Sequence, residues 1–310
     1  MSKAQNWWEN TFPDGLKYLE ITDSQGKRVS IAYGEIGQGK PLVLMHGWGV
    51  WSYSWAPLIP LLSQQFRVIC FDAKGFGYSD KPMQTHAPGY QIIETISILE
   101  ALGAKQQGFN LLAESLGAVI ALGVAQQRPD LVASLIVLDA AIFPRHMPHW
   151  SMYAMIYTPL SLVRWLEQWR LIRFFAPLLR WFIRTGAGAI YHQIPADNAE
   201  RAAQTLLPYV EFPGTATYVF ADSKSYLQEI QALLRGKPCL LQQLQSHLPQ
   251  VSCPCLILWG RADRWFPIED GERLASLLPN AQLHLAADCG HHIAGDCPTF
   301  VAQQVQAFLR

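Results

Sequence analysis

Three residues far apart in the chain have the types needed for a nucleophilic centre. Ser115 lies in Ala113-Glu114-Ser115-Leu116-Gly117-Ala118, where an apolar run meets a helical pattern. Small neighbours let strand and helix backbones approach closely, and the turn between them pushes the hydroxyl out above a sheet. Glycine is the usual residue where Ala113 stands. Asp263 lies in Trp259-Gly260-Arg261-Ala262-Asp263, and His291 in Cys289-Gly290-His291-His292. A serine hydroxyl is a poor nucleophile near neutral pH. A histidine must accept its proton during attack and return it to the leaving group, while a carboxylate fixes the imidazole tautomer and stabilises the imidazolium. Each residue also has a plainer role: Ser115 as a helix cap, Asp263 as a turn aspartate, His292 as the base in place of His291. Gly290 favours His291. Asp139, also at the end of an apolar run, is the alternative acid.

Such residues need elements that bring them to one edge. Leu16–Thr22 and Arg28–Tyr33 alternate apolar and polar residues around Asp23-Ser24-Gln25-Gly26, predicting a half-exposed antiparallel hairpin. Leu42–Met45, Phe66–Phe71, Gly108–Glu114, Ser134–Ala140 and Cys255–Gly260 are near-continuous apolar runs, the mark of strands buried on both faces. Helical patterns fall between them, at about 51–64, from Pro88-Gly89 to Gly103, and at 116–127. Beyond Cys255–Gly260 come a helix at 268–278, a strand at 282–286 and a helix at 298–309. This alternation predicts a mostly parallel, doubly wound α/β sheet with helices on both faces. It is interrupted over about 142–248, which is helical and aromatic with no buried-strand run. The expected organisation is a core domain in two parts, 1–141 and 249–310, with a helical cap, 142–248, inserted after the sixth strand.

Composition narrows the field. Half of the 310 residues are apolar, enough for a large core, and 24 basic residues balance 24 acidic ones. A nucleic-acid-binding protein would normally carry a basic excess, so no nucleic-acid partner is expected. The N-terminal residues contain no apolar signal region, and no window is long and apolar enough for a spanning helix. The six cysteines show no disulfide-scaffold spacing, so a reduced, cytoplasmic protein is the expectation. Cys253-Pro254-Cys255 suits neither a zinc knuckle nor a thioredoxin-type motif. Neither a metal nor another cofactor is expected.

The landmarks resemble the α/β-hydrolase fold superfamily, whose nucleophile, acid and histidine come in that chain order. The resemblance rests on five stretches: His46-Gly47-Trp48-Gly49; Asp72-x-x-Gly75-x-Gly77-x-Ser79-Asp80; the elbow around Ser115; Gly260-x-x-Asp263; and Gly290-His291 followed by Asp296-x-Pro298. The family more often has glutamate where Asp296 stands. The resemblance implies Ser115 as nucleophile, His291 as base and Asp263 as acid. It also implies an oxyanion hole from the backbone N–H groups of Leu116 and Trp48, with Gly49 as the alternative to Trp48. His46, Asp72 and Asp80 then serve as braces, and Glu114 is the variable position of the elbow. The implied activity is hydrolysis of a carboxylic ester or thioester of a hydrophobic, lipid-like small molecule. A carbon–carbon bond hydrolase of ring-cleavage type, or a low-turnover receptor on the same fold, are the alternatives.

Within the cap, residues 144–185 hold Arg145, Arg164, Arg170, Arg173, Arg180 and Arg184 against one acidic residue, Glu167. Interleaved are Trp150, Tyr153, Tyr157, Trp165, Trp169, Phe174, Phe175, Trp181 and Phe182. One reading is a lid that buries its aromatics while its arginines face water. The other adds a peripheral membrane contact through that surface. Oligomeric state leaves no trace in the sequence.

Overall fold

In a computed structural model of the chain, described for residues 5–82, 89–147, 156–171, 177, 191–192 and 197–310, eight strands form one sheet. They are β1 (Lys17–Thr22), β2 (Arg28–Ile36), β3 (Lys40–Met45), β4 (Phe66–Phe71), β5 (Phe109–Glu114), β6 (Val132–Leu138), β7 (Cys255–Gly260) and β8 (Ala281–Ala286). Their order across the sheet is β1-β2-β4-β3-β5-β6-β7-β8. The β1–β2 and β2–β4 pairs are antiparallel and all others parallel.

The apolar runs explain this sheet. Val43, Met45, Ile69, Phe71, Leu111 and Ala113 belong to one buried cluster, while Leu42, Leu44, Val68, Cys70 and Leu112 belong to the other. Successive side chains point to opposite faces, so the inner strands need apolar residues at nearly every position. The two edge strands, β1 and β8, alternate between exposed and more buried residues and tolerate polar ones. Because β3, β5, β6, β7 and β8 run parallel, their carboxyl ends gather the loops that carry His46, Ser115, Asp139, Asp263 and His291.

Helices α1 (Gln5–Thr11), α2 (Ile59–Leu62), α3 (Tyr90–Ala101) and α4 (Leu116–Gln127) precede β6. Between β6 and β7 lie α5 (Leu160–Gln168), α6 (Asn198–Glu211), α7 (Thr215–Leu234) and α8 (Leu240–Ser246), with no strand among the described residues there. After β7 come α9 (Ile268–Leu277), the single turn α10 (Ile293–Asp296) and α11 (Pro298–Phe308).

Two expectations change, and the N-terminus adds an element the sequence did not announce. The helix expected over about 51–64 is a 3-10 turn at Ser52–Trp55 and the short α2, because Pro57 and Pro60 interrupt it. The N-terminal Trp7 and Trp8 sit on α1, where Trp8 is fully buried and packs with Phe12 and Trp51. The expectation of reduced cysteines fails at one pair: Cys289 and Cys297 form a disulfide, leaving the other four free. Chain spacing alone could not reveal this pair, because β8 and α10 bring it together. Of the aromatic and basic residues expected in the cap, Trp150, Tyr153, Arg173, Phe174, Phe175, Arg180, Trp181, Phe182 and Arg184 lie outside the described residues.

The disulfide closes a short ring, with the two cysteines eight residues apart in sequence, around Gly290, His291 and Asp296. Loop-closure entropy for so short a ring amounts to about 2.5 kcal/mol of stability. Cys297→Ser should therefore lower unfolding free energy by about that amount in a urea titration. Identical curves with and without reductant would mean that the pair is open in solution.

Candidate active site

The site begins at the β5–α4 turn. Ser115 has φ 55° and ψ −118°, a conformation L residues rarely adopt, and it costs about 1–3 kcal/mol. Its neighbours hold it there: Ser115 N–H donates to Leu138 O at 2.9 Å, and Ala141 N–H donates to Ser115 O at 3.4 Å. Gly117 is required by the close approach, since a Cβ there would stand 2.5 Å from His46 O and 2.6 Å from Met45 O. Gly117→Ala should destabilise the fold by about 1–3 kcal/mol, because backbone rather than a movable side chain is in the way. Chemical denaturation checks this, and an unchanged midpoint would mean that the elbow relaxes freely.

The structure brings Ser115, His291 and Asp263 together in line. His291 Nε2 is 3.0 Å from Ser115 Oγ, and His291 Nδ1 is 2.8 Å from Asp263 Oδ2. With Nδ1–H donating to the carboxylate, Nε2 is free to accept from the serine hydroxyl. Asp263 is itself oriented: its Oδ1 accepts from Trp265 N at 2.7 Å and Phe266 N at 3.0 Å. The rings of Trp265 and Phe266 lie 5.0 and 5.3 Å from the imidazole, walling it off from water. Gly260 lets the two loops meet, since a Cβ there would be 2.2 Å from Gly290 O.

Asp139 is close by but makes no bond to His291. Its Oδ1 accepts from Gly260 N at 2.8 Å and its Oδ2 has no partner. Burial, and then the negative field of Asp263, push its carboxyl well above the usual range. Both influences push Asp139 toward its neutral form.

Trp48 and Leu116 both flank the serine. Gly47 lies against Ser115, its would-be Cβ 3.3 Å from the serine Cβ, so the next residue, Trp48, enters beside the hydroxyl. Leu116 opens α4, where the first N–H groups have no intrahelical acceptor. His46 braces this loop: its Nδ1–H donates to Gly47 O at 2.9 Å, and its Nε2 accepts from Ala73 N at 3.0 Å. Burial lowers its pKa, so it stays neutral. Asp72 accepts from Ser52 N and Tyr78 N, and Asp80 accepts from Ser30 N.

A second carboxylate–imidazole pair stands beside the first and has no short-range sequence signal. Glu114 Oε2 is 2.8 Å from His292 Nδ1, joining the residue before Ser115 to the residue after His291 across 178 positions. Burial alone would lower the His292 pKa. The charge and hydrogen bond of Glu114, with Asp296 adding to them, more than reverse that, so it is raised. The stabilisation this pair gives is therefore complete below the ordinary value of 6.5 and is lost as pH rises through the raised one. Glu114→Ala should cut turnover about 10–100-fold by loosening the serine–histidine register, and should return the His292 titration toward or below its ordinary value. Kinetics with proton NMR titration checks both, and an unmoved His292 titration would contradict the pairing.

A cavity of about 720 Å³ opens onto Ser115 and His291. Among the described residues its walls include Trp48, Val50, Pro57, Val163, Leu206, Val219, Phe220 and Trp265. Polar groups are few, with Glu114 and His292 near the serine, and Asp197 and Arg201 bonded to each other. Helices from between β6 and β7 build much of this wall. Trp48 Nε1–H donates to Ser223 Oγ of α7 at 2.7 Å, and Tyr209 OH of α6 donates to Gly49 O at 2.8 Å.

The family model of the alpha/beta hydrolase fold matches residues 40–296, which include all three central residues. The chain belongs to the alpha/beta hydrolase fold family and is a hydrolase of that family. It is 27% identical over 286 residues to the cis-3-alkyl-4-alkyloxetan-2-one decarboxylase of Shewanella oneidensis, covering 88% of this chain and 83% of that protein. It is 24% identical over 286 residues to the 2-hydroxy-6-oxo-6-phenylhexa-2,4-dienoate hydrolase of Burkholderia cepacia, covering 89% of each. Among solved structures, a thermophilic esterase from Thermogutta terrifontis superposes with a TM-score of 0.67 at 21% identity, over 95% of this chain and 98% of that one. That likeness speaks for the fold alone.

Proposed function

We propose that the protein cleaves a carboxylic ester or thioester with a large hydrophobic acyl or alcohol part, through an acyl-enzyme on Ser115. The observation that carries this reading is the unbroken line from Ser115 Oγ to His291 Nε2 at 3.0 Å and from His291 Nδ1 to Asp263 Oδ2 at 2.8 Å. Ser115 Oγ attacks the carbonyl carbon while His291 takes its proton, and the oxyanion is met by the N–H groups of Trp48 and Leu116. His291 then protonates the departing alcohol or thiol. In the second half, water attacks the acyl carbon with His291 again as base, and the acid leaves Ser115. Epoxide hydrolases and haloalkane dehalogenases of this fold use an aspartate at the nucleophile position, and Ser115 argues against both activities.

The apolar walls support a hydrophobic substrate, since a site of this size and lining binds mainly by removing apolar surface from water. The test is a series of p-nitrophenyl esters of increasing acyl length, together with a ring-cleavage dienoate. The expected result is kcat/KM that rises with acyl length before falling and exceeds that for the dienoate. Faster cleavage of the dienoate than of every ester would transfer the reading to carbon–carbon hydrolysis of a ring-cleavage product; the Burkholderia relative is by name a dienoate hydrolase. Acylation of Ser115 without steady-state turnover would make the protein a receptor.

A further inference from the structure

We propose that the outward face of α5 docks on an anionic lipid surface. Among the described residues, the large apolar or aromatic side chains left exposed are Tyr18, Ile93, Tyr157, Leu162, Trp165, Trp169 and Leu234. Four of these seven fall between 157 and 169, so the exposure is concentrated in one place rather than scattered. Leu162, Trp165 and Trp169 are spaced three and four apart, which puts them on one side of α5. They are 47%, 51% and 65% exposed, and Tyr157, just before the helix, is 70% exposed.

The other side of the same helix is engaged. Glu167 accepts hydrogen bonds from Ala216 N and Thr217 N, both at 3.0 Å, at the start of α7. Val163 forms part of the cavity wall. α5 is thus a partition with the cavity on one side and an exposed tryptophan face on the other.

Charge identifies the occupant. Over 156–171 the charged residues are Arg164, Glu167 and Arg170; both arginines are exposed, and Glu167 is turned inward onto α7. Tryptophans flanked by arginines suit the headgroup boundary of an anionic bilayer, where the rings enter the acyl region and the guanidinium groups meet phosphate. A second copy of the chain would instead bring the same arginines face to face. No described helix is long and apolar enough to cross a bilayer, so the contact is peripheral. A hydrophobic substrate held in that bilayer would then lie one helix away from the cavity.

This docking is independent of which bond the site breaks, and the experiment keeps the two apart. The full chain is sedimented with vesicles of phosphatidylcholine, and with equimolar phosphatidylcholine and phosphatidylglycerol. Turnover of a short, water-soluble ester is followed in parallel. Wild type should bind the mixed vesicles, less so as salt rises, with a blue shift of tryptophan emission. Trp165→Ser with Trp169→Ser should weaken binding at least about tenfold. Arg164→Gln with Arg170→Gln should remove a phosphatidylglycerol preference of roughly 10–30-fold. Neither pair should change turnover of the soluble ester. Failure of wild type to bind either vesicle, or unchanged binding by the tryptophan variant, would overturn the proposal. So would a dimer in solution that the tryptophan variant abolishes.

Discussion

Replacing Ser115 by alanine should reduce ester turnover by at least about 10⁴-fold while leaving the fold intact. Every other group at the site acts through that oxygen: His291 Nε2 faces it at 3.0 Å, and the oxyanion donors have no tetrahedral centre to bind without it. The residual rate would be whatever water attack achieves in the preformed site. Stability should barely move, because the hydroxyl adds little packing and alanine inherits the same φ of 55°. Ser115→Gly is the informative companion. It removes the nucleophile and also the steric cost of that backbone conformation, so it should be inactive yet more stable than the alanine variant by about 1 kcal/mol. Steady-state kinetics and thermal unfolding of both variants check this. An alanine variant that keeps more than a few per cent of wild-type turnover would mean that attack starts elsewhere.

The second large effect separates two buried aspartates at neighbouring strand ends. Asp263→Asn should lower kcat by about 10³–10⁴-fold, since asparagine offers its amide to an imidazole nitrogen that now needs an acceptor. The Trp265 and Phe266 N–H bonds can persist on the remaining oxygen, so the loop should hold its shape. Asp139→Asn should change kcat less than about threefold. Asp139 already sits with its carboxyl pushed toward the neutral form by burial and by Asp263, so an uncharged amide is a close substitute. Removing Asp139 takes away a potential like charge beside Asp263. Removing Asp263 takes away the partner of His291. If the two variants lost activity equally, the acid would be shared between them and the single hydrogen bond from His291 would not describe the working enzyme.

The parts of this molecule legible in the sequence are those whose physical signature is local. Strands β3, β4, β5, β6 and β7 are buried on both faces, so each shows as a near-continuous apolar run. Ser115 is legible because a strained strand-to-helix turn demands small residues within two or three positions. Asp263 and His291 are legible because each follows a strand end at the same edge of a parallel sheet. What stayed hidden depends on partners far away in the chain. Lys74 forms a buried cluster with Asp23 and Glu94 that no spacing rule exposes. Glu114 and His292 each look like bystanders until the fold sets them 2.8 Å apart. Cys289 and Cys297 carry no scaffold pattern, and only the turn between β8 and α11 makes them neighbours. The helix expected near Trp51 is cut into a 3-10 turn and the short α2 because Pro57 and Pro60 break its backbone pattern.

The role of α5 as a partition explains why the pocket was the least readable part. Its walls come from helices whose apolar residues serve the cavity, the core and the outer face at once. Period alone cannot sort Val163, which lines the cavity, from Leu162 and Trp165, which face solvent.

The central claim is covalent chemistry at Ser115, and the most direct measurement is to catch the intermediate. Wild-type protein mixed with an excess of a p-nitrophenyl ester and quenched in acid within the first turnovers should gain the mass of one acyl group. Peptide mapping should place that acyl group on the segment carrying Ser115. Steady turnover with no acylated peptide, or an acyl group on any other residue, would contradict the account.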